Sequence, residues 1–259
     1  MLIGLRLLVE KSKSCFVTGA HGAVGKLLST VISDNSEYEV VALRRDDEDG
    51  YVTSLTELAH SLAGKEMVLI HCGWDTRDRS VDAQQKSCIN TTQLAKCCAN
   101  LKIGMVFISS QSALSVSNYG RMKYLAEQSV IEKGGMVVRP GLIIFDDAQG
   151  LQKLIGRKIM GFVEIKTKPP LMVRVISAEN FSKELTALLS LTPERNEIID
   201  LFDVVRSVDS AVPSSIAKAR LTVTVPLWLL NRVLKFTGRL NNNLYAKYDS
   251  FLGLTTSRN

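Results

Sequence analysis

The chain has 259 residues, of which 46% are hydrophobic and 22% are charged, so it can bury a full core and general disorder is excluded. The formal net charge is +6, but Lys and Arg are spread along the chain without interleaved aromatic residues. This argues against a nucleic-acid partner and favours anionic small molecules or a membrane surface. Five cysteines without a Cys-x-x-Cys pair indicate reduced packing residues, which excludes a disulfide framework and a zinc site.

The first residues, MLIGLRLLVEKSK (1–13), are apolar but include Arg6 and Glu10. They lack the charged leader and small-residue cleavage site of a signal peptide. No uninterrupted apolar stretch of the chain approaches the roughly 20 residues of a membrane-spanning helix. We therefore expect a cytoplasmic protein.

Short β-type runs alternate along the chain with longer segments of helical periodicity. The strand-like runs are 14–18, 38–43, 66–73, 104–110, 135–144 and 171–177. The helical segments are 23–34, 54–63, 80–101, 119–134 and 178–191. This alternation predicts an α/β fold with a doubly wound parallel sheet.

The first strand and the first helix are joined by a glycine loop in the stretch FVTGAHGAVGKLL, residues 16–28. Gly19 permits a tight turn, Gly22 lets the backbone approach a phosphate, and Gly25 lets the helix pack on the strand. The helix amino terminus would face the anion. Because the spacing differs from Gly-x-Gly-x-x-Gly, we interpret the loop as a variant dinucleotide-binding turn. A tight turn without a ligand is the alternative.

A tyrosine and a lysine four residues apart, Tyr119 and Lys123, lie in the stretch NYGRMKYLAE. On a helix they share a face, so the ammonium can stabilise the phenolate and lower the pKa of the phenol. That would provide a proton donor and acceptor near neutral pH. The hydroxyl-rich strand end FISSQS, residues 107–112, comes shortly before this pair.

Together these motifs resemble the short-chain dehydrogenase/reductase superfamily, specifically its extended branch of nucleotide-sugar epimerases, dehydratases and 4-ketoreductases. The resemblance runs from about residue 14 to residue 202 through TGAHGAVG, IHCGW, INTTQL, FISSQSA, YGRMKYLAE and VVRPGLI. It implies a Rossmann-like sheet with a small carboxy-terminal substrate lobe. Residues 1–145 would mainly bind NAD(P) and carry the catalytic pair. Residues 146–259 would form the substrate-binding part and an amphipathic tail, intertwined with the first part as one unit.

The resemblance also implies roles for individual residues. Tyr119 would be the catalytic acid/base, Lys123 would lower its pKa and bond the nicotinamide ribose, and Ser110 would polarise the substrate carbonyl. Only nine positions separate Ser110 from Tyr119, so Ser112 is the alternative serine. The expected cofactor contacts are Gly19, His21, Gly22, Ala23, Val24, Gly25, Arg44, Arg45, His71, Lys123 and Arg139, and the expected substrate contacts are Trp74, Ser112 and Asn90.

Cofactor choice depends on the end of the second strand, in VVALRRDD. A carboxylate there bonds a ribose 2′-hydroxyl, whereas a basic residue accommodates a 2′-phosphate. Arg44 and Arg45 therefore indicate NADP as the first choice, while Asp46 and Asp47 keep NAD open. The region from Arg45 to the next strand is short and lacks the acidic residue expected for the adenine.

Two further side chains have alternative interpretations. His71 ends a buried strand and is interpreted as a hydrogen-bonded structural histidine rather than a base. Trp74 would either wall the substrate pocket or cover the sheet edge. His60 is expected on a helix surface, and the three scattered histidines predict no metal site.

The carboxy-terminal stretch VPLWLLNRVLKFTGRL places apolar residues near one another on a helix that begins at Pro226, with Arg232, Lys235 and Arg239 interspersed. A basic amphipathic helix over 226–240 is compatible with peripheral contact at the inner face of a membrane, a substrate lid, a homodimer contact or packing on the small lobe. Such tails resemble those of epimerase-like proteins of bacterial surface-polysaccharide pathways.

These observations predict an NAD(P)-dependent oxidoreductase or epimerase that acts on a nucleotide-activated sugar in bacterial surface-polysaccharide synthesis. One alternative is a catalytically silent, dinucleotide-sensing binding protein. The other is a reductase of a non-sugar carbonyl compound.

Overall fold

Six parallel strands form the main sheet of the protein. The computed structural model describes residues 12–46, 49–76, 78, 80–115, 117–145, 163–168, 170, 172–189, 196–207, 221–226, 228, 229, 232, 233 and 236. The strands of the first half are β1 (Lys13–Thr18), β2 (Tyr38–Ala42), β3 (Glu66–His71), β4 (Gly104–Ile108) and β5 (Met136–Pro140). The helices between them are α1 (Ala23–Asn35), α2 (Val52–Ser61), α3 (Val81–Leu101) and α4 (Asn118–Glu132), with a 3₁₀ turn at Gln111–Leu114.

The second half adds a sixth strand to the main sheet and builds two smaller sheets. Its elements are β6 (Leu142–Ile144), β7 (Val163–Lys168), β8 (Met172–Ser177), α5 (Ala178–Leu189), β9 (Ile198–Leu201), β10 (Val204–Ser207) and β11 (Leu221–Pro226). The main sheet has the order β2-β1-β3-β4-β5-β9, the second sheet β10-β8-β6, and β11 pairs with β7. The doubly wound parallel sheet predicted from the sequence is confirmed.

Alternation along the central strands divides the core into two layers, because successive side chains of a strand point to opposite faces. Cys15 and Val17 of β1 pack in the layer that includes side chains of α1 and α5. Phe16, between them, packs in the layer that includes side chains of α2, α3 and α4. The sheet is therefore covered by helices on both faces. All five cysteines are free thiols.

Between β2 and β3, the described residues 43–46 and 49–65 form one helix and no strand, apart from an isolated bridge between Asp46 and Gly50. Strand β3 consequently lies directly beside β1. The strand order reverses between these two strands, and the crevice at their carboxyl ends is the position where doubly wound sheets bind ligands.

The strand expected over 135–144 is broken at Gly141. Its first part, β5, belongs to the main sheet, and its second part, β6, pairs with β8 in the second sheet. A Cβ at Gly141 would lie 2.6 Å from the Arg174 carbonyl oxygen. Only a glycine therefore lets the chain pass from one sheet to the other at this point.

Among the described residues, no helix combines the length and the apolar character required to cross a lipid bilayer. Residues 1–11, Asp47, and Leu230, Leu234, Lys235 and Arg239 of the tail lie outside the described part of the chain.

Candidate active site

The glycine loop makes a compact turn between β1 and α1. Gly19 has a φ of +65°, which L side chains rarely adopt, and a Cβ there would lie 3.0 Å from the backbone of Gly73. The Gly22 amide donates to the Gly19 carbonyl at 2.9 Å. A Cβ at Gly25 would overlap that same carbonyl oxygen. The turn can therefore be this tight only with glycine at positions 19 and 25.

The amino terminus of α1 is suited to an anion. Gly22 occupies the N-cap position, no side chain caps the helix, and its first turn contains no acidic residue. The backbone N–H groups of Ala23 and Val24 lie in that first turn, and His21 beside them is exposed. Uncapped N–H groups and the helix dipole favour a phosphate at such a position. The loop thus fits the pyrophosphate of a dinucleotide.

Helix α4 carries Tyr119 and Lys123 and packs tightly on the 3₁₀ turn. The Ser117 hydroxyl caps the helix by accepting from the Gly120 amide at 2.9 Å. A Cβ at Gly120 would overlap the Ser112 carbonyl oxygen. Because Gly120 permits this approach, the first turn of α4 holds Tyr119 close to the segment that contains Ser110 and Ser112.

Lys123 lies buried beneath an aromatic cover, with 3% of its surface exposed. Its Nζ donates to the Ile108 carbonyl at 3.1 Å. The same atom is 4.2 Å from the centre of the Trp74 ring and 4.5 Å from the centre of the Phe107 ring. Tyr119 meets Trp74 edge to face, with ring centroids 6.3 Å apart. Trp74 therefore contacts both members of the expected catalytic pair.

Trp74 is held in this position by a buried hydrogen bond. Its Nε1–H donates to Gln84 Oε1 at 2.7 Å, and Gln84 Nε2 donates to the carbonyls of Asp75 at 3.0 Å and Asp78 at 2.7 Å. The Gln84 side chain thus fixes the orientation of the Trp74 indole. Its ring face is turned towards Lys123.

The two candidate serines differ in exposure. Ser110 is partly exposed, and its Oγ accepts from the Ser112 amide at 3.1 Å. The Ser112 side chain is 1% exposed. Of the two hydroxyls, that of Ser110 is the more accessible to a substrate.

His71 is buried at the end of β3 with both ring nitrogens in hydrogen bonds. The Thr18 hydroxyl accepts from the Gly73 amide at 2.9 Å and lies 2.7 Å from His71 Nδ1, to which it donates its hydrogen. Thr91 donates to the Ser87 carbonyl, so it accepts from His71 Nε2, 2.9 Å away. Burial, and then the charge of Lys123, lower the pKa of His71 to about 3. The structure thus places this neutral ring below the glycine loop, where it supports the Gly73 backbone through Thr18.

Arg139 forms a buried ion pair. Its Nε donates to Glu127 Oε1 at 3.0 Å, its Nη2 donates to Glu127 Oε2, and the Ser109 hydroxyl also donates to Glu127. Burial alone would lower the pKa of Arg139, but the hydrogen bond and the charge of Glu127 outweigh it and raise this pKa. The guanidinium therefore joins β5 to α4. A contribution of Arg139 to cofactor binding would be indirect.

Sequence reasoning missed Tyr51, which lies buried between the glycine loop and the end of β3. Its hydroxyl is 2.5 Å from the position of a Cβ on Gly73, and it is hydrogen bonded to the Gly19 backbone. Burial raises the pKa of this phenol, although the charge of Arg45 and the Gly19 hydrogen bond oppose the rise. A lone tyrosine after the acidic run DDEDG was the available signal.

The remaining candidates lie around the turn that follows β2. Arg44 and Arg45 are exposed, and the Arg44 amide donates to Ser54 Oγ at 3.2 Å. Asn90 packs on Gly50, whose Cβ position would be 3.0 Å from the amide nitrogen of Asn90. The structure thus places Asn90 against this turn.

No protein-family model matches the sequence, and no curated protein matches it. Solved structures with low sequence identity share its fold. A dTDP-4-dehydrorhamnose reductase from Bacillus anthracis in complex with NADP is 14% identical, with a TM-score of 0.61, over 94% of this chain and 100% of that one. A UDP-glucuronic acid 4-epimerase from Bacillus cereus in complex with NAD is 16% identical over the same shares, with a TM-score of 0.57.

The chain shares the Rossmann-like fold of these solved structures. The terminal R domain from the myxalamid PKS-NRPS biosynthetic pathway is also similar, at 13% identity and a TM-score of 0.65, over 96% of this chain and 81% of that one. Within this fold, the motifs expected from the sequence come together at the carboxyl ends of β1, β3 and β4. The glycine loop lies at the end of β1, Trp74 follows β3, and Ser110 follows β4.

Proposed function

We propose that the protein is an NAD(P)-dependent oxidoreductase or epimerase that acts on a nucleotide-activated sugar, in bacterial surface-polysaccharide synthesis. The observation that carries the proposal is the common contact of Tyr119 and Lys123 with Trp74, on a helix whose first turn packs on the segment that follows Ser110. This group lies on the same edge of the sheet as a glycine loop that fits a pyrophosphate. Reduction or oxidation of a carbonyl carbon requires a group that transfers a proton and a dinucleotide that transfers a hydride. An acid/base pair beside a dinucleotide site would supply both.

Each residue of the group has a separate role in this proposal. Tyr119 gives its phenolic proton to the carbonyl oxygen on reduction and takes it back on oxidation. In this proposal the Lys123 ammonium, one helical turn after Tyr119, stabilises the phenolate and bonds the nicotinamide ribose. Ser110 donates a hydrogen bond to the carbonyl oxygen, since its Oγ already accepts from the Ser112 amide. A bound nicotinamide would supply or take up the hydride. An epimerase would use these residues for oxidation and reduction in sequence.

NADP is the preferred cofactor in this proposal. Arg44 and Arg45 are both exposed directly after β2, where a 2′-phosphate would be accommodated. The similar structures include one protein in complex with NADP and one in complex with NAD. Arg44→Asp is therefore expected to shift preference towards NAD, because it repels a 2′-phosphate and supplies an acceptor for a ribose hydroxyl. Titration of the unmodified protein and the variant with NADP and with NAD measures this preference. Tighter binding of NAD than of NADP by the unmodified protein would contradict the choice of NADP.

A second candidate is reduction of a non-sugar carbonyl compound. The similarity to the terminal R domain of a PKS-NRPS pathway favours it, as does the contact of the Trp74 ring with Tyr119. An aromatic side chain beside the phenol suits a substrate with little hydrogen-bonding capacity.

Mass spectrometry of the purified protein, followed by assays with NADPH or NAD⁺, tests these candidates. A co-purifying dinucleotide together with a nucleotide-sugar, and turnover of that sugar, is the expected result. Turnover of apolar carbonyl compounds alone would support the second candidate. Tight dinucleotide binding without turnover of either substrate class would favour the silent binding protein and contradict the enzyme.

A further inference from the structure

The described residues of the carboxy-terminal tail present an exposed apolar face. Trp228, Leu229, Arg232, Val233 and Phe236 are helical and exposed. Trp228 is 62% and Phe236 is 66% exposed, which is unusual for such large apolar side chains. At 3.6 residues per turn these five positions fall within an arc of about 140°. We call this arc the tail face.

The excess positive charge of the chain lies in the sequence segment that contains the tail face. Residues 210–248 contain six Lys and Arg and no Asp or Glu, so this segment accounts for the whole formal net charge of +6. Lys and Arg are spread along the whole chain. It is the acidic residues that this segment lacks.

The adjoining sheet adds a positive charge at the start of the tail face. In the parallel pair β7–β11, Lys168 stands opposite Pro226, two residues before Trp228. Lys168 is exposed. Arg232 itself lies within the arc, between Trp228 and Phe236. Aromatic and aliphatic side chains thus share one surface with cations, and no described residue of that surface is acidic.

We propose that the tail face binds the anionic interface of a lipid bilayer, with Trp228 and Phe236 inserted at the headgroup level. Trp is favoured at this depth because its ring is apolar and its N–H is polar. Arg and Lys near the surface are attracted to anionic headgroups. A face that lacks acidic residues complements such a surface. The inference goes beyond the proposed function and does not depend on it.

The proposal is tested by sedimentation of the full chain with vesicles of phosphatidylcholine containing about 25% phosphatidylglycerol, and with phosphatidylcholine alone. We expect binding to the anionic vesicles to be roughly tenfold stronger, and to weaken between about 0.05 M and about 0.5 M salt. The triple variant Trp228→Ser, Val233→Ser, Phe236→Ser should lose roughly tenfold or more of this binding. The matched control is Val81→Ser with Ile89→Ser, which removes two equally exposed apolar side chains from α3 and should bind as the unmodified protein does.

Far-UV circular dichroism and the oligomeric state in solution are measured for all variants, so that loss of folding is recognised. No sedimentation of the folded protein with any vesicle would overturn the proposal, as would equal sedimentation of the triple variant. A dimer that the triple variant abolishes, without vesicle binding by the unmodified protein, would assign the tail face to a second copy of the chain. No substrate or cofactor is used, so failure here leaves the proposed enzymatic function untouched.

Discussion

The ammonium group of Lys123 is buried, because only 3% of this residue is exposed to solvent. Removing such a group from water is costly unless other groups replace its hydration. The Ile108 carbonyl and the faces of Trp74 and Phe107 provide that replacement. The protein thus fixes this cation against the Trp74 ring, which Tyr119 also contacts. In the proposed mechanism the ammonium is the electrostatic partner of the phenol.

Replacing Tyr119 with Phe is expected to lower turnover by about two to four orders of magnitude, because the proton donor is lost while the ring remains. Dinucleotide affinity should stay within about twofold of the unmodified protein, since the glycine loop is unchanged. Steady-state kinetics and fluorescence titration measure the two effects. Tyr124→Phe on the exposed face of α4 is the matched control. Full activity of the Tyr119 variant would remove this residue from the mechanism.

The lowered pKa of His71 leads us to predict a specific dependence of the free energy of unfolding on pH. Its pKa in the folded protein is lowered to about 3, so between about pH 6.5 and pH 3 the unfolded chain binds a proton that the folded protein does not. The contribution of His71 is therefore complete above this window and is lost as the pH falls through it. The slope is about 1.4 kcal/mol per pH unit.

Urea unfolding of the His71→Gln variant between about pH 7 and pH 4.5 should show a slope smaller by roughly one proton, since Gln does not titrate. The control, His60→Gln, changes an exposed histidine at the end of α2 and should keep the slope of the unmodified protein. An identical slope for the His71 variant would contradict burial of a neutral ring at the end of β3.

At the scale of elements, the strands and helices of the first half could be predicted because each has a regular hydrophobic period and clear boundaries. Strands β7, β9, β10 and β11 were missed: β10, for example, has exposed Val204 and Val205 and lacks the alternation of a half-buried strand. The break between β5 and β6 depends on contact with Arg174, which is distant in sequence. Local patterns do not contain such contacts.

The same reasoning explains which site residues were predictable. Gly19, Tyr119 and Lys123 belong to motifs with fixed spacing, so the sequence alone identified them as candidates. The burial of Tyr51 against Gly73 and the pairing of Arg139 with Glu127 follow from packing between separate elements. Neither has a signature within a short stretch of sequence.

The junction of β1 and α1 gives a prediction at this scale. Gly25→Ala should lower the free energy of unfolding by about 1–3 kcal/mol and abolish dinucleotide binding, because its Cβ would overlap the Gly19 backbone and displace α1. Gly22→Ala is the matched variant: its Cβ would lie 3.3 Å from the Gly19 carbonyl oxygen, so the fold should persist while dinucleotide affinity falls. Urea unfolding and cofactor titration separate the two effects. Normal cofactor binding by both variants would contradict the phosphate-binding loop.

At the scale of the whole molecule, Gln111 joins the main sheet to the second sheet. Its Nε2 donates to the Arg139 carbonyl on β5 and to Asp200 Oδ1 on β9, both at 2.9 Å. Its Oε1 accepts from Arg174 on β8. One buried side chain thus connects strands of two sheets. It also directly follows Ser110, so it ties the position of the proposed catalytic serine to the packing of the sheets.

Gln111→Leu keeps a similar side-chain volume but removes all three hydrogen bonds. We expect the free energy of unfolding to fall by about 1–2 kcal/mol, because three hydrogen bonds of a buried side chain are lost, while water can replace Gln111 at the exposed Asp200 and the half-buried Arg174. The matched control is Gln85→Leu, which makes the same exchange at an exposed position of α3 and should change stability by less than about 0.5 kcal/mol.

Urea unfolding followed by both circular dichroism and tryptophan fluorescence measures the change. The two probes should give coincident transitions for the unmodified protein and separate transitions for the variant, because the sheets are no longer coupled. Unchanged stability with coincident transitions in the Gln111 variant would show that the two sheets are held together by other contacts.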